Sequence, residues 1–333
     1  MELRKDPITQ NWVIQEEGEV SWPGVEACPL CPGREYLSPQ TIYVHNNGAG
    51  TWQVRVTPHL RPLYRIEGDA LRRAEGLYDK MRSLGAHEVV VEHPDHQIPL
   101  SQQSDENVAQ VLRAYLTRIV DLKKDRRFRY ITVFRNQGTL AGQDLEHPHS
   151  QITATPFIPR RLVYELRSSQ RYYELKDRCL LCDIAKQELT QQTRTVEWDN
   201  QFLAFCPFAS RVPYEVWVLP VNHHCAFEED VSSWDRQMHF ARFLKSILRR
   251  VESIASAYHL VLHTSPNIRA KFERTDHWRT LADDYHWHFE LLPVIQSKSK
   301  SYSVKEVYYN SLLPEQAAEQ LRAVGTEAPA SKT

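Results

Sequence analysis

The sequence predicts an α+β protein built from two tandem domains, each an antiparallel sheet packed with one long helix. Three observations carry this expectation. The 333 residues suffice for two cores of ordinary size. Two long stretches with helical apolar spacing alternate with short strand-like runs. One ordered set of chemical landmarks occurs twice along the chain. The expected division is 1–165 for the first domain and 166–325 for the second, joined through the polar helical stretch 159–178. Residues 326–333 form a small, polar tail expected to be disordered.

The first half opens its landmarks with Cys28 and Cys31 in a CxxC turn, followed by a strand Glu88-Val89-Val90-Val91-Glu92 that leads to His96. A helix follows, with Val108, Val111, Leu112, Tyr115, Leu116 and Ile119 on one stripe and Ser104 and Asp105 as caps. A strand over 130–134, the loop 136–146 and the segment His147-Pro148-His149-Ser150-Gln151-Ile152 complete it. The second half repeats the order. Cys179 and Cys182 precede a strand over 214–220 that ends near His223. A helix carries Phe240, Phe243, Leu244, Ile247, Leu248 and Val251. A strand over 260–263 and His286-Trp287-His288 close the series. A fivefold ordered match argues duplication.

Composition narrows the function. Hydrophobic residues make up 41% and charged residues 25%, which is globular. A formal net charge of -1, with both signs interspersed, lacks the footprint of a general nucleic-acid binder. The densest basic run, 123–129, reads as a solvated helix end. No apolar stretch is long enough to span a bilayer and the first residues lack a signal-peptide core, so a soluble cytoplasmic protein is expected. In a reducing compartment, paired cysteines bind metal or do redox work more often than they form disulfides.

Each half therefore supplies a Cys2His2 set: Cys28, Cys31, His96 and His147 in the first, Cys179, Cys182, His223 and His286 in the second. Four filled positions make a zinc site structural rather than catalytic. His224 adjoins His223 and is the alternative ligand, but gapless alignment of 91–96 with 218–223 favours His223. Cys206 and Cys225 lack such a pattern and read as small buried residues. Period-two alternation places His147, His149 and Gln151 on one strand face. A neutral imidazole at His149 has a lone pair that can attack phosphorus. Gln151 can donate an amide N–H to the charge that develops there. In the preceding loop, Gly138 and Gly142 let backbone amides approach phosphates.

With these residues in place, the chain resembles the galactose-1-phosphate uridylyltransferase family, a branch of the histidine-triad superfamily. The resemblance includes Leu3-Arg4-Lys5-Asp6-Pro7-Ile8-Thr9, Trp12-Val13, Phe134-Arg135-Asn136-Gln137-Gly138 and Glu146-His147-Pro148-His149-Ser150-Gln151-Ile152. It continues through Pro207-Phe208-Ala209, Tyr214-Glu215-Val216-Trp217 and Pro314-Glu315-Gln316-Ala317-Ala318. It implies two histidine-triad-like domains, the first carrying the active-site motif. It also implies transfer of a nucleoside monophosphate, UMP foremost, between a nucleotide sugar and a sugar 1-phosphate in carbohydrate, specifically galactose, metabolism. His149 would be the nucleophile, Gln151 would steady the nucleotidyl-histidine, and Asn136 would contact the nucleotide phosphates. Two zinc ions and a homodimer whose partner chain completes each site are implied as well. Some members hold iron in the second half, which would draw on Glu165, His263, His286 and His288.

The chain departs from the family pattern at four places. The stretch 14–19 is acidic where the family is arginine-rich. Pro58-His59-Leu60-Arg61-Pro62 replaces an asparagine-containing nucleotide loop. Asp144 stands where a small residue is usual, and a carboxylate there needs a partner to tolerate phosphate. Residues 302–309 replace a glycine-rich segment. An adenylyl-specific phosphorylase, a nucleotide hydrolase and a non-catalytic zinc-stapled binding module are the competing readings.

Overall fold

The structure is a computed structural model and describes residues 1–16, 27–48, 50–270, 278–295 and 307–324. Parts of the stretches 14–19 and 302–309, and the tail from 325 onward, lie outside the described residues. In the first half, β1 (Glu2–Lys5) and β2 (Trp12–Gln15) precede β3 (Tyr43–Asn46) and β4 (Trp52–Pro58). Then follow β5 (Arg73–Glu75), β6 (Tyr78–Arg82), β7 (Ala86–Val91), helix α1 (Asp105–Leu122), β8 (Tyr130–Gln137) and β9 (His149–Thr155). Helices α2 (Arg160–Lys176) and α3 (Leu180–Gln191) lead into β10 (Thr195–Trp198), β11 (Phe202–Phe205) and β12 (Val216–Pro220). The remainder is α4 (Phe227–Asp230), α5 (Trp234–Glu252), β13 (Tyr258–His263), α6 (Leu281–Asp284), β14 (His288–Pro293) and α7 (Pro314–Val324).

Ten strands form one sheet in the order β10-β11-β12-β14-β13-β8-β9-β7-β4-β3, and a smaller sheet runs β2-β1-β6-β5. The large sheet reads as the same five-strand series twice, β3-β4-β7-β9-β8 and β10-β11-β12-β14-β13, joined edge to edge. The join is the antiparallel pair β8–β13, with Phe134 opposite Val261 and Asn136 opposite His259. The two expected sheets are therefore continuous. Each half closes the other's open edge and so removes a row of unpaired backbone groups.

Helices α1 and α5 lie together on one face of this sheet. Ser104 caps α1 by accepting from the Asn107 N–H at 3.1 Å, and Ser233 caps α5 by accepting from Arg236 N–H at 3.2 Å. Asp105 sits in the first turn of α1 and binds Lys245 and Arg242 of α5. The apolar stripes of both helices enter one core that spans the halves, including Val108, Leu112, Ile119, Phe240, Leu244 and Val251. The run after α1 differs from the expected solvated end. Lys123 is largely enclosed and ion-paired with Glu228, and it donates to Ser265 O at 2.8 Å.

Two strand starts also differ from expectation. The strand read over 214–220 begins at Val216, because Tyr214 has a positive φ of 59° and Glu215 accepts from the Arg211 backbone N–H. The strand read from Glu88 begins at Ala86. The face of the large sheet opposite α1 and α5 carries His149 and Gln151 on β9 and, beside α2, His288 and Glu290 on β14.

Candidate active site and metal centres

Both expected Cys2His2 sets assemble, with their ligand atoms within 4.8 Å of one another. In the first, Cys31 Sγ lies 3.4 Å from His96 Nδ1 and 3.5 Å from His147 Nδ1, while Cys28 Sγ is 3.8 Å from His147 Nδ1. In the second, Cys182 Sγ lies 3.3 Å from His223 Nδ1 and 3.4 Å from His286 Nδ1. Three of the four imidazoles turn the other nitrogen to a backbone carbonyl. His147 Nε2–H donates to His93 O at 2.7 Å, His223 to Ala282 O at 2.8 Å and His286 to Pro220 O at 3.0 Å. That fixes the tautomer and presents the Nδ1 lone pair to the thiols, the second-shell arrangement of metal-bound histidine. Burial pushes His147 down to about 4, keeping it neutral and able to coordinate. Hydrogen bonds from Cys182, His223 and His286 hold the Cys179 thiol down. These groups could hold metal ions.

His224 stands apart, 3.3 Å from Asp230. Cys206 is buried and Cys225 half-buried. Glu165, His263 and His288 gather with Glu290 rather than with His286, which belongs to the cysteine set, so the four residues of the iron variant do not meet as one group. Glu290 already accepts from Arg161 at 2.6 Å and Arg211 at 2.7 Å. A cavity of about 550 Å³ opens beside this cluster, lined by Arg161, Tyr164, Trp217 and His288.

His149 begins β9, and its ring is 2% exposed. His147 precedes the strand rather than lying on it, so only His149 and Gln151 share the pleated face. The Nδ1–H of His149 donates to His147 O at 2.8 Å, which directs Nε2 away from the metal group. Ser150 points to the opposite face, where its Oγ meets Tyr115 Oη of α1 at 2.5 Å and Glu92. Arg135 pairs with Glu92 and donates to His149 O at 3.1 Å, so the strand is pinned from behind.

The front of the site contains residues the sequence reading did not select. Arg61 N–H donates to His59 Nδ1 at 3.0 Å, and His59 Nε2–H then donates to Asp144 Oδ2 at 3.0 Å. Leu63 N–H donates to His87 Nδ1 at 3.1 Å, and His87 Nε2–H donates to Gln151 Oε1 at 2.8 Å. Gln151 Nε2–H in turn points at Asp144 Oδ1, 3.4 Å away. The rings of His59 and His87 stack 4.1 Å apart. Burial, followed by the neighbouring His59, pushes His87 down to about 4. Asp144 Oδ1 is 3.1 Å from His149 Nε2. Burial alone would raise the Asp144 carboxyl, but its close contacts with the His149 and His59 rings prevail and hold it well below the carboxylate range. Starting the strand at Glu88 hid His87, which stands two residues before Val89, the partner of Gln151 across β7–β9.

The loop residues expected to contact phosphates divide. Asn136 lies on the face of Phe134, the partner of Gln151, and its Oδ1 meets His259 Nδ1 at 2.9 Å. Gly138 packs against Ser256 O and Ala257, which explains it without phosphate. Gly142 has open space where a side chain would stand.

A duplicated antiparallel fold with a backbone-oriented imidazole beside Gln151 defines an enzyme of the nucleotidyltransferase class, as comparison with known proteins bears out. Residues 58–159 match the family model for the galactose-1-phosphate uridyl transferase N-terminal domain. The chain is 28% identical to an ADP-glucose phosphorylase of Arabidopsis thaliana, covering 97% of this chain and 93% of that one. It is also 28% identical to a galactose-1-phosphate uridylyltransferase of Thermotoga maritima, covering 98% and 99%. Among solved structures, a uridylyltransferase superposes with a TM-score of 0.81 at 27% identity, covering 98% of each chain. The Arabidopsis thaliana ADP-glucose phosphorylase with bound ADP-glucose superposes at 0.76 with 26% identity, covering 99% of each. The chain thus resembles members of the galactose-1-phosphate uridylyltransferase family along nearly its whole length, with the family model itself matching within its first half.

Proposed function

We propose that the enzyme takes a nucleoside monophosphate from a nucleotide sugar onto His149 Nε2 and passes it to an acceptor at the same site. The observation that carries this is the Nδ1–H bond from His149 to His147 O, which leaves Nε2 as the nitrogen turned toward Asp144 and away from the backbone. The histidine lone pair forms the P–N bond as the P–O bond to the sugar phosphate breaks, and the leaving phosphate keeps the electron pair. Gln151, held by His87, offers its amide N–H to the phosphoryl oxygens. UMP is the group the family resemblance puts first. The likeness to an ADP-glucose phosphorylase supports AMP as the other candidate. Asn136 and the backbone at Gly142 would contact the donor phosphates.

Both Cys2His2 sets suit zinc. Tetrahedral coordination at about 2.3 Å to sulfur and about 2.0–2.1 Å to nitrogen sets these atoms about 3.6 Å apart. The S···N separations here run from 3.3 to 4.0 Å. With four protein ligands each, the ions would staple loops to the sheet and leave the chemistry to His149. The division at 165/166, which falls inside α2, and a homodimer complete the reading.

Incubation with UDP-glucose or ADP-glucose, labelled at the phosphate next to the nucleoside, tests it. Base-stable, acid-labile label is expected on the wild type and absent from His149→Ala. Label of that kind persisting on His149→Ala refutes the assignment. Elemental analysis is expected to give two zinc per chain.

A further inference from the structure

The loop 58–63 and Asp144 converge on the imidazole that carries the proposed chemistry. The loop's two backbone N–H donors set the tautomers of His59 and His87. His59 then grips one oxygen of Asp144, and His87 aims Gln151 at the other. The result is a built carboxylate, mostly enclosed and tethered on both oxygens, 3.1 Å from the atom that attacks phosphorus.

We infer that Asp144 is the catalytic base of the second half-reaction, and that the acceptor it serves is a neutral O–H group, water or an alcohol hydroxyl, rather than a phosphate. The inference rests on the nucleotidyl-His149 reading and names the acceptor class for that same site.

Charge and proton inventory both favour it. A phosphate acceptor arrives ionised, attacks through an oxygen that already carries charge and so needs no base, and must approach a fixed negative charge at short range, where like charges repel. A neutral hydroxyl meets no such repulsion and becomes a competent nucleophile only as it gives up its proton. Asp144 offers that proton a ready carboxylate oxygen. Phosphorus bound to Nε2 takes the place Oδ1 now occupies, so the carboxylate moves aside while His59 retains Oδ2 and keeps it at the reacting centre. In the step itself, the acceptor oxygen forms a P–O bond as the P–Nε2 bond breaks. The electron pair returns to His149, and the O–H proton passes to Asp144, which releases it to solvent.

The test uses the full chain and whichever of UDP-glucose or ADP-glucose labels His149. Discharge of the isolated labelled enzyme is followed in buffer alone, with glycerol, with glucose 1-phosphate and with orthophosphate. The wild type is expected to discharge without any phosphate acceptor. Nucleoside monophosphate as the product identifies water, and a glycerol nucleotidyl ester identifies an alcohol. Asp144→Asn and Asp144→Ser are expected to take up label yet discharge to water or glycerol about 100-fold more slowly, with discharge to glucose 1-phosphate retained or increased. Discharge of the variants to water or glycerol at the wild-type rate overturns the inference. So does a wild type that discharges only to glucose 1-phosphate or orthophosphate. Failure of the wild type to label at all is a separate result that overturns the nucleotidyl-histidine reading and this inference with it.

Discussion

Glu92 and Arg135 are a charge pair sealed behind the strand that carries His149, with 0% and 2% of their side chains exposed. Such a pair is maintained because each partner leaves the other stranded when removed, more than because it adds net stability. Here it has a further task. Arg135 also donates to His149 O, and Glu92 accepts from Ser150, so two successive residues of the active-site motif are anchored from one ion pair. Arg135→Met leaves the carboxylate of Glu92 uncompensated in the core. Urea denaturation is expected to show a loss of about 3–5 kcal/mol. The double variant Arg135→Met/Glu92→Leu is expected to recover most of that stability without recovering the labelling rate, because the donor to His149 O is still missing. Equal recovery of both would mean that the pair serves stability alone.

At the scale of single elements, the loop between β8 and β9 separates what glycine does for the backbone from what it does for a ligand. Gly138 has φ +82° and ψ 153°, a region open essentially only to glycine, and an added Cβ would lie 2.9 Å from Ser256 O in the other half. Gly142 has φ +73° and ψ 31°, ordinary left-handed geometry with nothing within 4 Å of an added Cβ. Gly138→Ala is therefore expected to lower stability by about 2–3 kcal/mol, and Gly142→Ala by about 1 kcal/mol, both measured by thermal or urea unfolding. Equal losses would show that the contact with Ser256 yields freely. Sequence alone assigned both glycines to phosphate binding, since it shows the residue type but not which glycine has a neighbour. The helices were legible because their apolar stripes face one continuous core. Central strands such as β7, buried at all six positions, were legible as apolar runs. Strands β1, β2, β5 and β6 were not, because short strands whose side chains are mostly exposed or half-buried carry little periodic signal.

Across the whole molecule, duplication was readable because its landmarks are chemically unusual residues in a fixed order, whereas the fusion of two sheets through β8 and β13 was not. Nothing in either strand's own pattern names its partner, and His59 reaches Asp144 only once β4, β7 and β9 are neighbours. The same architecture decides what the metal groups can do. None of their eight ligands belongs to the shared core, which runs through both helices and both halves of the sheet. In the first half Cys28 packs instead against a small apolar cluster of Leu30, Trp52, Val89 and Val91. Small domains that depend on zinc for their core unfold without it, but a core independent of the ligands should persist. Chelation is therefore expected to remove two zinc ions while the far-UV circular dichroism stays essentially unchanged. The two sites should then differ in consequence. The first includes His147, whose carbonyl orients the His149 ring, so Cys28→Ser/Cys31→Ser should lose most nucleotidyl labelling although it stays folded. The second has no such link to His149, so Cys179→Ser/Cys182→Ser should lower the melting temperature and leave labelling near the wild-type level. Loss of labelling in both variants to the same degree, with the fold intact, would mean that the halves communicate through the β8–β13 seam rather than acting as one working site and one brace.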